Sequence, residues 1–274
     1  MEKPGKAKDM ENGFRVPVTE EEKQLSYYHF FEREMTPPPE GYTEKVLARE
    51  LKPEEALRIR DKDLLFEDGY LPGEYGWCFF DDGTATIANL TPMPGVTAEM
   101  LDWYWAWHGL APLRYKIWDP EDHYESRSLN PEQNLDASLT YKERYWDTFH
   151  DTYEGFVHPG QCEPPVTMKF WNPEDAGFSK EKLKDFTGTI ICGGGIDDGV
   201  FMTHFFRPTE NGGELRSHFW FGWKIENKKA VRVLPEGAEL PKEPLMILLR
   251  HTIKEFANLA AILPELFAQE KDRF

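Results

Sequence analysis

His251 and Glu255 are the residues of this sequence whose types and spacing indicate chemistry most directly. They lie four residues apart in the segment EPLMILLRHTIKEFANLAAILPELF, which has the apolar repeat of an amphipathic helix. On a helix the two side chains project from one face, and Leu248, Leu259 and Ile262 flank them. An imidazole and a carboxylate placed this way could chelate one metal ion. A hydrogen bond between the two side chains that only stabilises the helix is the alternative.

A metal site would need further ligands, and two other histidines have suggestive contexts. His123 lies in KIWDPEDHYES, and His204 lies in MTHFFR, within a segment typical of a strand. The remaining histidines have weaker contexts: His29, His108, His150, His158 and His218. Spacing alone does not choose among them.

Other motifs that would carry chemistry are absent or weak. The GGG at 193–195 lies between two predicted strands, so it lacks the helix that a phosphate loop requires and is interpreted as a turn. There is no GxSxG and no HExxH. The three cysteines, Cys78, Cys162 and Cys192, lack CxxC spacing, which argues against a disulfide framework or a cysteine zinc site and favours a reducing cytoplasm.

The composition narrows the class of partner. Among 274 residues, 32 are Lys or Arg and 49 are Asp or Glu, giving a net charge of -17 that repels nucleic acid and anionic membranes. No segment is typical of a membrane span or a targeting peptide. Aromatic residues make up 14% of the chain, enough to fill a large core or to line a cavity for a flat ligand. Trp103 and Trp107, four residues apart, fit either role.

The elements that would position these residues are predicted as follows. Residues 1–70 form an arm over the core, with short helices near 20–33 and 53–60, and residues 71–274 form the main domain. WCFFDDGTATIANL is a hairpin, a helix runs from Thr97 to a stop at Gly109, and RYKIW (114–118) is a strand before a loop-rich stretch through 165. Segments 187–195, 199–208 and 213–226 are antiparallel strands, and 228–235 closes the meander. The long helix begins after Pro241 and reaches Pro264. The fold class is thus α+β, with a sheet curled around the terminal helix and a cavity between them.

Several segments resemble a known family. RYKIWDPEDH (114–123), DTYEG (151–155), MTHFFR (202–207), ELRSHFW (214–220) and HTIKE of the last helix are similar to the diacetylphloroglucinol hydrolase and phloretin hydrolase family, over about 75–266. The resemblance implies a helix-grip fold like that of the major birch pollen allergen, with an N-terminal extension. It also implies a zinc enzyme that hydrolyses the carbon-carbon bond between a phloroglucinol ring and an acyl carbonyl.

The resemblance also implies site residues. The Zn²⁺ ligands would be His123, Glu154, His251 and Glu255. Tyr115 would be an active-site tyrosine. His204 would be the catalytic histidine, and its assignment rests on a looser alignment. Ser126 stands where the family has a substrate-binding asparagine, and the family's second active-site tyrosine has no counterpart, since no tyrosine follows Tyr153.

The chemistry so implied needs a Lewis acid and water at the carbonyl and an acid near the ring. We expect a small aromatic ketone as the substrate. The missing tyrosine favours phloretin, which would yield phloroglucinol and phloretic acid, over an acetylphloroglucinol. The alternative is a helix-grip carrier of an apolar aromatic ligand without chemistry. A homodimer is left open.

Overall fold

A computed structural model of the chain describes residues 9–10, 13–158 and 160–274. The strands of the described chain are β1 (Asp9–Met10), β2 (Gly13–Phe14), β3 (Gly76–Phe79), β4 (Ala85–Pro94), β5 (His123–Ser128), β6 (Phe149–Glu154), β7 (Val166–Trp171), β8 (Thr189–Gly195), β9 (Val200–Thr209), β10 (Gly212–Phe221), β11 (Trp223–Glu226) and β12 (Lys229–Arg232). The α-helices are α1 (Tyr28–Glu32), α2 (Tyr42–Leu47), α3 (Ala98–Trp107), α4 (Pro112–Lys116), α5 (Pro131–Leu135), α6 (Tyr141–Tyr145), α7 (Lys180–Asp185) and α8 (Lys242–Glu270). Three short 3-10 helices span Glu22–Gln24, Ile59–Phe66 and His108–Leu110.

Eight of these strands form one antiparallel sheet in the order β3-β4-β10-β9-β8-β7-β6-β5. The long helix α8 packs across the sheet against β4 and also contacts α3. Its apolar stripe supplies Phe256, Leu259 and Leu263 to a core that includes Trp103 and Leu215. This is the helix-grip arrangement, so the predicted fold class is confirmed.

The alternation along β9 decides which of its side chains can meet a ligand. Phe201 and Phe205 pack on the outer side of the sheet with Leu57 and Ile59 from the N-terminal region. His204 is adjacent to Phe205 and therefore points to the inner side, toward α8.

The N-terminal region packs on both sides of the sheet. Phe30 and Phe31 belong to the same core as α8, and Val46 packs with Trp77. Its helices differ from the prediction. Residues 20–33 form a 3-10 helix and α1 instead of one helix, and 53–60 is mostly turn. Helix α2 and the 3-10 helix Ile59–Phe66 were not predicted. The division into an arm (1–70) and a catalytic domain (71–274) stays a prediction.

One further prediction near the site is wrong. RYKIW is not a strand, since residues 112–116 form α4, where Pro112 occupies the first turn and presets the helical φ. The loop-rich stretch 119–165 also holds four short elements that were not predicted, β5, β6, α5 and α6. The hairpin predicted over 77–90 is confirmed as β3 and β4, and so is the helix after Thr97, whose side chain caps it by accepting a hydrogen bond from the Met100 amide at 3.3 Å.

The interpretation of GGG as a turn is also wrong, because Gly193, Gly194 and Gly195 are the last residues of β8. A Cβ on Gly193 would lie 2.6 Å from the Cε of Met202, so the glycine makes room for a side chain of the neighbouring strand. At the far end of the sheet, Gly222 has φ +86° and separates β10 from β11, which pairs with β12 in a small second sheet instead of closing the meander. The terminal helix continues through Pro264 to Glu270.

None of the helices in the described ranges combines the length and apolar character needed to cross a bilayer.

Candidate active site

Helix α8 points His251 and Glu255 into the protein. The two residues are 4% and 7% exposed, and they lie between turns of the helix that bury Leu249, Ile253 and Phe256. The inward orientation predicted from the sequence is therefore present.

The structure brings all four predicted ligands together. The Nε2 atoms of His123 and His251 are 3.4 Å apart, and Glu255 Oε2 lies 3.4 Å from the first and 3.8 Å from the second. Glu154 Oε1 lies 3.7 Å from His123 Nε2. His123 opens β5 and Glu154 closes β6, and the two residues are direct partners in the sheet, which explains how residues 31 positions apart meet.

Hydrogen bonds on the far side of each imidazole set its orientation. His123 Nδ1 lies 3.3 Å from the carbonyl oxygen of Tyr115, and His251 Nδ1 lies 3.1 Å from Asp122 Oδ2. Since both partners are acceptors, each Nδ1 carries a hydrogen, and the Nε2 of each ring keeps its lone pair whenever that ring is neutral. Both lone pairs are thus available to a metal, and a carboxylate or carbonyl behind a ligating histidine is the usual support of such sites.

A second grouping overlaps with the first. Asp119, His123 and His251 are buried with potential ligand atoms within 4.8 Å of one another, and such a group could hold a metal ion. Asp119 Oδ2 lies 3.6 Å from Nδ1 of His251 and 3.2 Å from the Lys254 ammonium. Asp119 and Asp122 were not predicted as site residues, although their position in DPEDH directly before His123 was a usable signal.

Burial and charge shape the protonation of this cluster. Burial raises the pKa of Glu255 well above its usual range, even though the neighbouring His251 opposes the shift. For His251, burial disfavours the cation, but the carboxylates of Glu255, Asp122 and Asp119 outweigh it and raise its pKa to about 9. The carboxyl groups of Glu154 and Glu255 have no lysine or arginine partner among the ion pairs of the described residues. A cation bound between these carboxyl groups would supply the positive charge that they lack.

The two residues assigned to catalysis border the same cavity. Tyr115 donates a short hydrogen bond to Glu154 Oε1, and its ring stacks on His123 at 3.9 Å between centroids. His204 Nδ1 lies 2.9 Å from Ser217 Oγ. Burial lowers the pKa of His204 to about 3, so this histidine is neutral at pH 7. His218 lies on the opposite side of the sheet, stacked on Trp220.

The cavity between the sheet and α8 is lined largely by aromatic and apolar side chains. Its polar positions are Glu154, Thr152, Ser126, His108, Asp198, Tyr115, His204, His251 and Glu255. Trp105 and Trp118 form part of the wall, whereas Trp103 and Trp107 stack on each other in the core at 4.8 Å. Some of these tryptophans thus fill the core, and others line the cavity.

Two of the solved structures that match this chain have low sequence identity to it. The crystal structure of Ara h 8.0201 is 10% identical with a TM-score of 0.40, over 67% of this chain and 99% of that chain. Norcoclaurine synthase from Thalictrum is 14% identical with a TM-score of 0.33, over 64% of this chain and 94% of that chain.

Sequence comparison is more specific. Residues 57–268 match the family model described as the DAPG hydrolase PhiG domain. Phloretin hydrolase from Eubacterium ramulus is 38% identical over 270 residues, covering 96% of each chain. The 2,4-diacetylphloroglucinol hydrolase of Pseudomonas protegens is 24% identical over 261 residues, covering 89% of this chain and 84% of the relative. The chain therefore belongs to the DAPG hydrolase family, whose members include these two hydrolases.

Proposed function

We propose that this protein is a zinc-dependent hydrolase that cleaves the carbon-carbon bond between a phloroglucinol ring and an acyl carbonyl, with phloretin as its substrate. The observation that carries the proposal is the convergence of two imidazole Nε2 atoms and two carboxylates on the wall of an aromatic cavity, in a chain of this family.

The spacing of the donor atoms fits zinc. Zinc bonds to histidine nitrogen and carboxylate oxygen are about 2.0–2.2 Å long, so two ligands of a tetrahedral ion are about 3.3–3.6 Å apart. The distances from His123 to each of the other three ligands, and from His251 to Glu255, are 3.4–3.8 Å. When bound, the ion would supply a Lewis acid next to the substrate carbonyl. Asp119 and Asp122, on the Nδ1 side of His251, would orient that imidazole instead of binding the ion.

The reaction requires the ring to accept a proton at the carbon that carries the acyl group. His204 borders the cavity, so its imidazole is placed to relay the proton of an ortho hydroxyl to that carbon, which converts the ring into a β-diketone. Addition of water to the acyl carbonyl then breaks the carbon-carbon bond. The hydroxyl of water stays on the acid product, and its second proton ends on the ring oxygen, which restores the phenol.

Tyr115 and Ser126 would position the substrate. The Tyr115 hydroxyl lies beside Glu154 and borders the cavity, so it can donate to the oxyanion that develops at the carbonyl or to a ring hydroxyl. Ser126 borders the same cavity and can hydrogen-bond a ring hydroxyl. A passive carrier would gain nothing from a buried Glu255 and a partly buried Glu154 at this wall, because burying a carboxylate is costly.

Phloretin is favoured over a diacetylated ring for two reasons. The relative with the higher identity of the two above is named a phloretin hydrolase. The sequence also has no tyrosine after Tyr153, so it lacks the second active-site tyrosine that the family resemblance implies. The cytoplasmic location belongs to the same proposal, as does the division into an N-terminal arm and a catalytic domain.

The test is Glu255→Gln, which keeps the shape of the side chain and removes its charge. We expect strong loss of zinc and of phloretin cleavage with an unchanged helical circular dichroism signal. Glu265→Gln, a half-exposed position on the same helix that pairs with Arg33, is the matched control and should keep both zinc and activity. Full zinc content and normal turnover in Glu255→Gln would refute the ligand assignment.

A further inference from the structure

Three buried polar side chains form a hydrogen-bonded chain in the wall of the cavity. Ser126 Oγ lies 3.3 Å from His108 Nε2 and 3.0 Å from His150 Nδ1. The three residues are at most 2% exposed, and both Ser126 and His108 border the cavity. The family resemblance assigns neither histidine a role.

Both histidines are neutral at neutral pH. Burial lowers the pKa of His108 to about 4 and moves the pKa of His150 well below its ordinary value. A neutral imidazole has one nitrogen that donates and one that accepts, so each contact in the chain has a definite direction.

The direction is set at Tyr104. His108 Nδ1 lies 3.1 Å from the carbonyl oxygen of Tyr104, which can only accept, so His108 Nδ1 carries the hydrogen and His108 Nε2 accepts. The hydroxyl of Ser126 must then donate its single hydrogen to His108. Since that hydrogen is used, His150 Nδ1 must donate to Ser126. With both rings neutral, this is the one choice of tautomers in which Ser126 forms a hydrogen bond with His108 and also with His150.

The packing around His150 holds this arrangement in place. A Cβ on Gly109 would lie 2.3 Å from the Cε1 atom of His150, so the glycine is what lets the imidazole approach the 3-10 helix 108–110. His150 Nε2, left as a bare lone pair by the assignment, is buried and has no hydrogen-bond partner among the described residues. In this arrangement the hydroxyl hydrogen of Ser126 is used within the group, so Ser126 presents no hydrogen-bond donor to the cavity.

We propose that His108 and His150 are positioning residues that make Ser126 a hydrogen-bond acceptor only, so that this part of the cavity selects ligands with a free hydroxyl over their ethers. The identification of that ligand as a polyhydroxylated ring rests on the proposed function. The selectivity follows because an ether oxygen has no hydrogen to give and would face the lone pair of Ser126.

The first test reads the tautomers directly. Nitrogen-15 spectra of histidine-labelled, zinc-loaded protein should show both His108 and His150 with the hydrogen on Nδ1, with signals assigned from through-space contacts in the wild-type protein. A hydrogen on Nε2 of either ring would overturn the proposal. This experiment uses the wild-type fold, so it decides the matter even if a variant fails to fold.

The second test measures selectivity with ligands that cannot react. Phloroglucinol and its trimethyl ether are titrated against the zinc-loaded protein, following tryptophan fluorescence, since Trp105 and Trp118 border the cavity. In His108→Phe the Ser126 hydroxyl becomes free to donate to an ether. The preference for phloroglucinol should therefore fall by about 10-fold, the size of one hydrogen bond. His108→Gln, whose amide oxygen can still accept, should retain the wild-type preference.

The control for this test is His218→Phe, which alters another buried histidine on the opposite side of the sheet. It should leave the ratio of the two affinities unchanged. An unchanged ratio in His108→Phe would overturn the proposal. Failure of the zinc-loaded protein to cleave any acylphloroglucinol would instead refute the proposed function, and the tautomers and affinity ratios would still be measurable.

Discussion

The carboxylate behind His251 offers a quantitative test of how the proposed metal site is oriented. Asp122 Oδ2 accepts from His251 Nδ1 at 3.1 Å, and Asp122 also pairs with Lys254. Loss of such a partner behind a ligating histidine typically weakens metal binding by 10- to 100-fold, or about 1.4–2.7 kcal/mol. In Asp122→Asn the amide oxygen can still accept but the charge is gone, so we expect about 10-fold. In Asp122→Ala both are lost, and we expect about 100-fold.

The assay is competition for zinc with a chromophoric chelator at fixed pH. Glu121→Gln is the matched control, because Glu121 is the adjacent residue and contacts the same Lys254 at 3.0 Å, yet it is 41% exposed and does not contact His251 in the structure. Its zinc affinity should equal that of the wild type. Wild-type affinity in Asp122→Ala, or an equal loss in Glu121→Gln, would refute the reasoning that Asp122 supports His251 as a ligand.

Three other predictions address catalysis and stability. His204→Asn should keep zinc while kcat falls by about 10² to 10⁴, and Tyr115→Phe should keep zinc with a comparable or smaller loss; an empty site in His204→Asn would make His204 a ligand. Removing the hydroxyls ortho to the acyl group should abolish turnover, whereas changes at the far end of the acyl chain should mainly alter KM, and equal cleavage of acetophenone would contradict the ring chemistry. Asp102 is buried, and burial raises its pKa from 3.8 to about 6, so its ionisation costs the folded state up to about 3 kcal/mol as pH rises through that window. Asp102→Asn should therefore stabilise the protein against urea at pH 7 but not at pH 4, and the same change in stability at both values would contradict this.

The sequence predicted the fold well where periodicity was strong. The helix that carries His251 has more than six turns with an unbroken apolar stripe, and the strands β8, β9 and β10 alternate clearly between turn residues. Prediction failed where local chemistry competes with short patterns. The pattern of 114–118 suits a strand, but Pro112 starts a helix there, and GGG suits a turn although the neighbouring Met202 fills the space its missing side chains leave.

The four candidate ligands were proposed from the family resemblance, since spacing alone could not join residues from separate elements. His123 and Glu154 are far apart in sequence and meet because β5 pairs with β6. Asp122 lies next to His123 in the sequence, but its carboxylate supports the other imidazole, that of His251. The partnership of Ser126 with His108 and His150 could not have been predicted, because it depends on the register of two strands and on the close approach that Gly109 permits.

The most direct test of the proposed function is product analysis with labelled water. Purified protein with its zinc content measured is incubated with phloretin in ¹⁸O-water, and the products are identified by mass spectrometry. We predict about one zinc per chain, equal amounts of phloroglucinol and phloretic acid, and the label in the carboxyl group of the acid, with activity lost on chelation and restored by zinc. Absence of cleavage of both phloretin and diacetylphloroglucinol by the zinc-loaded protein, or full activity after chelation, would contradict it.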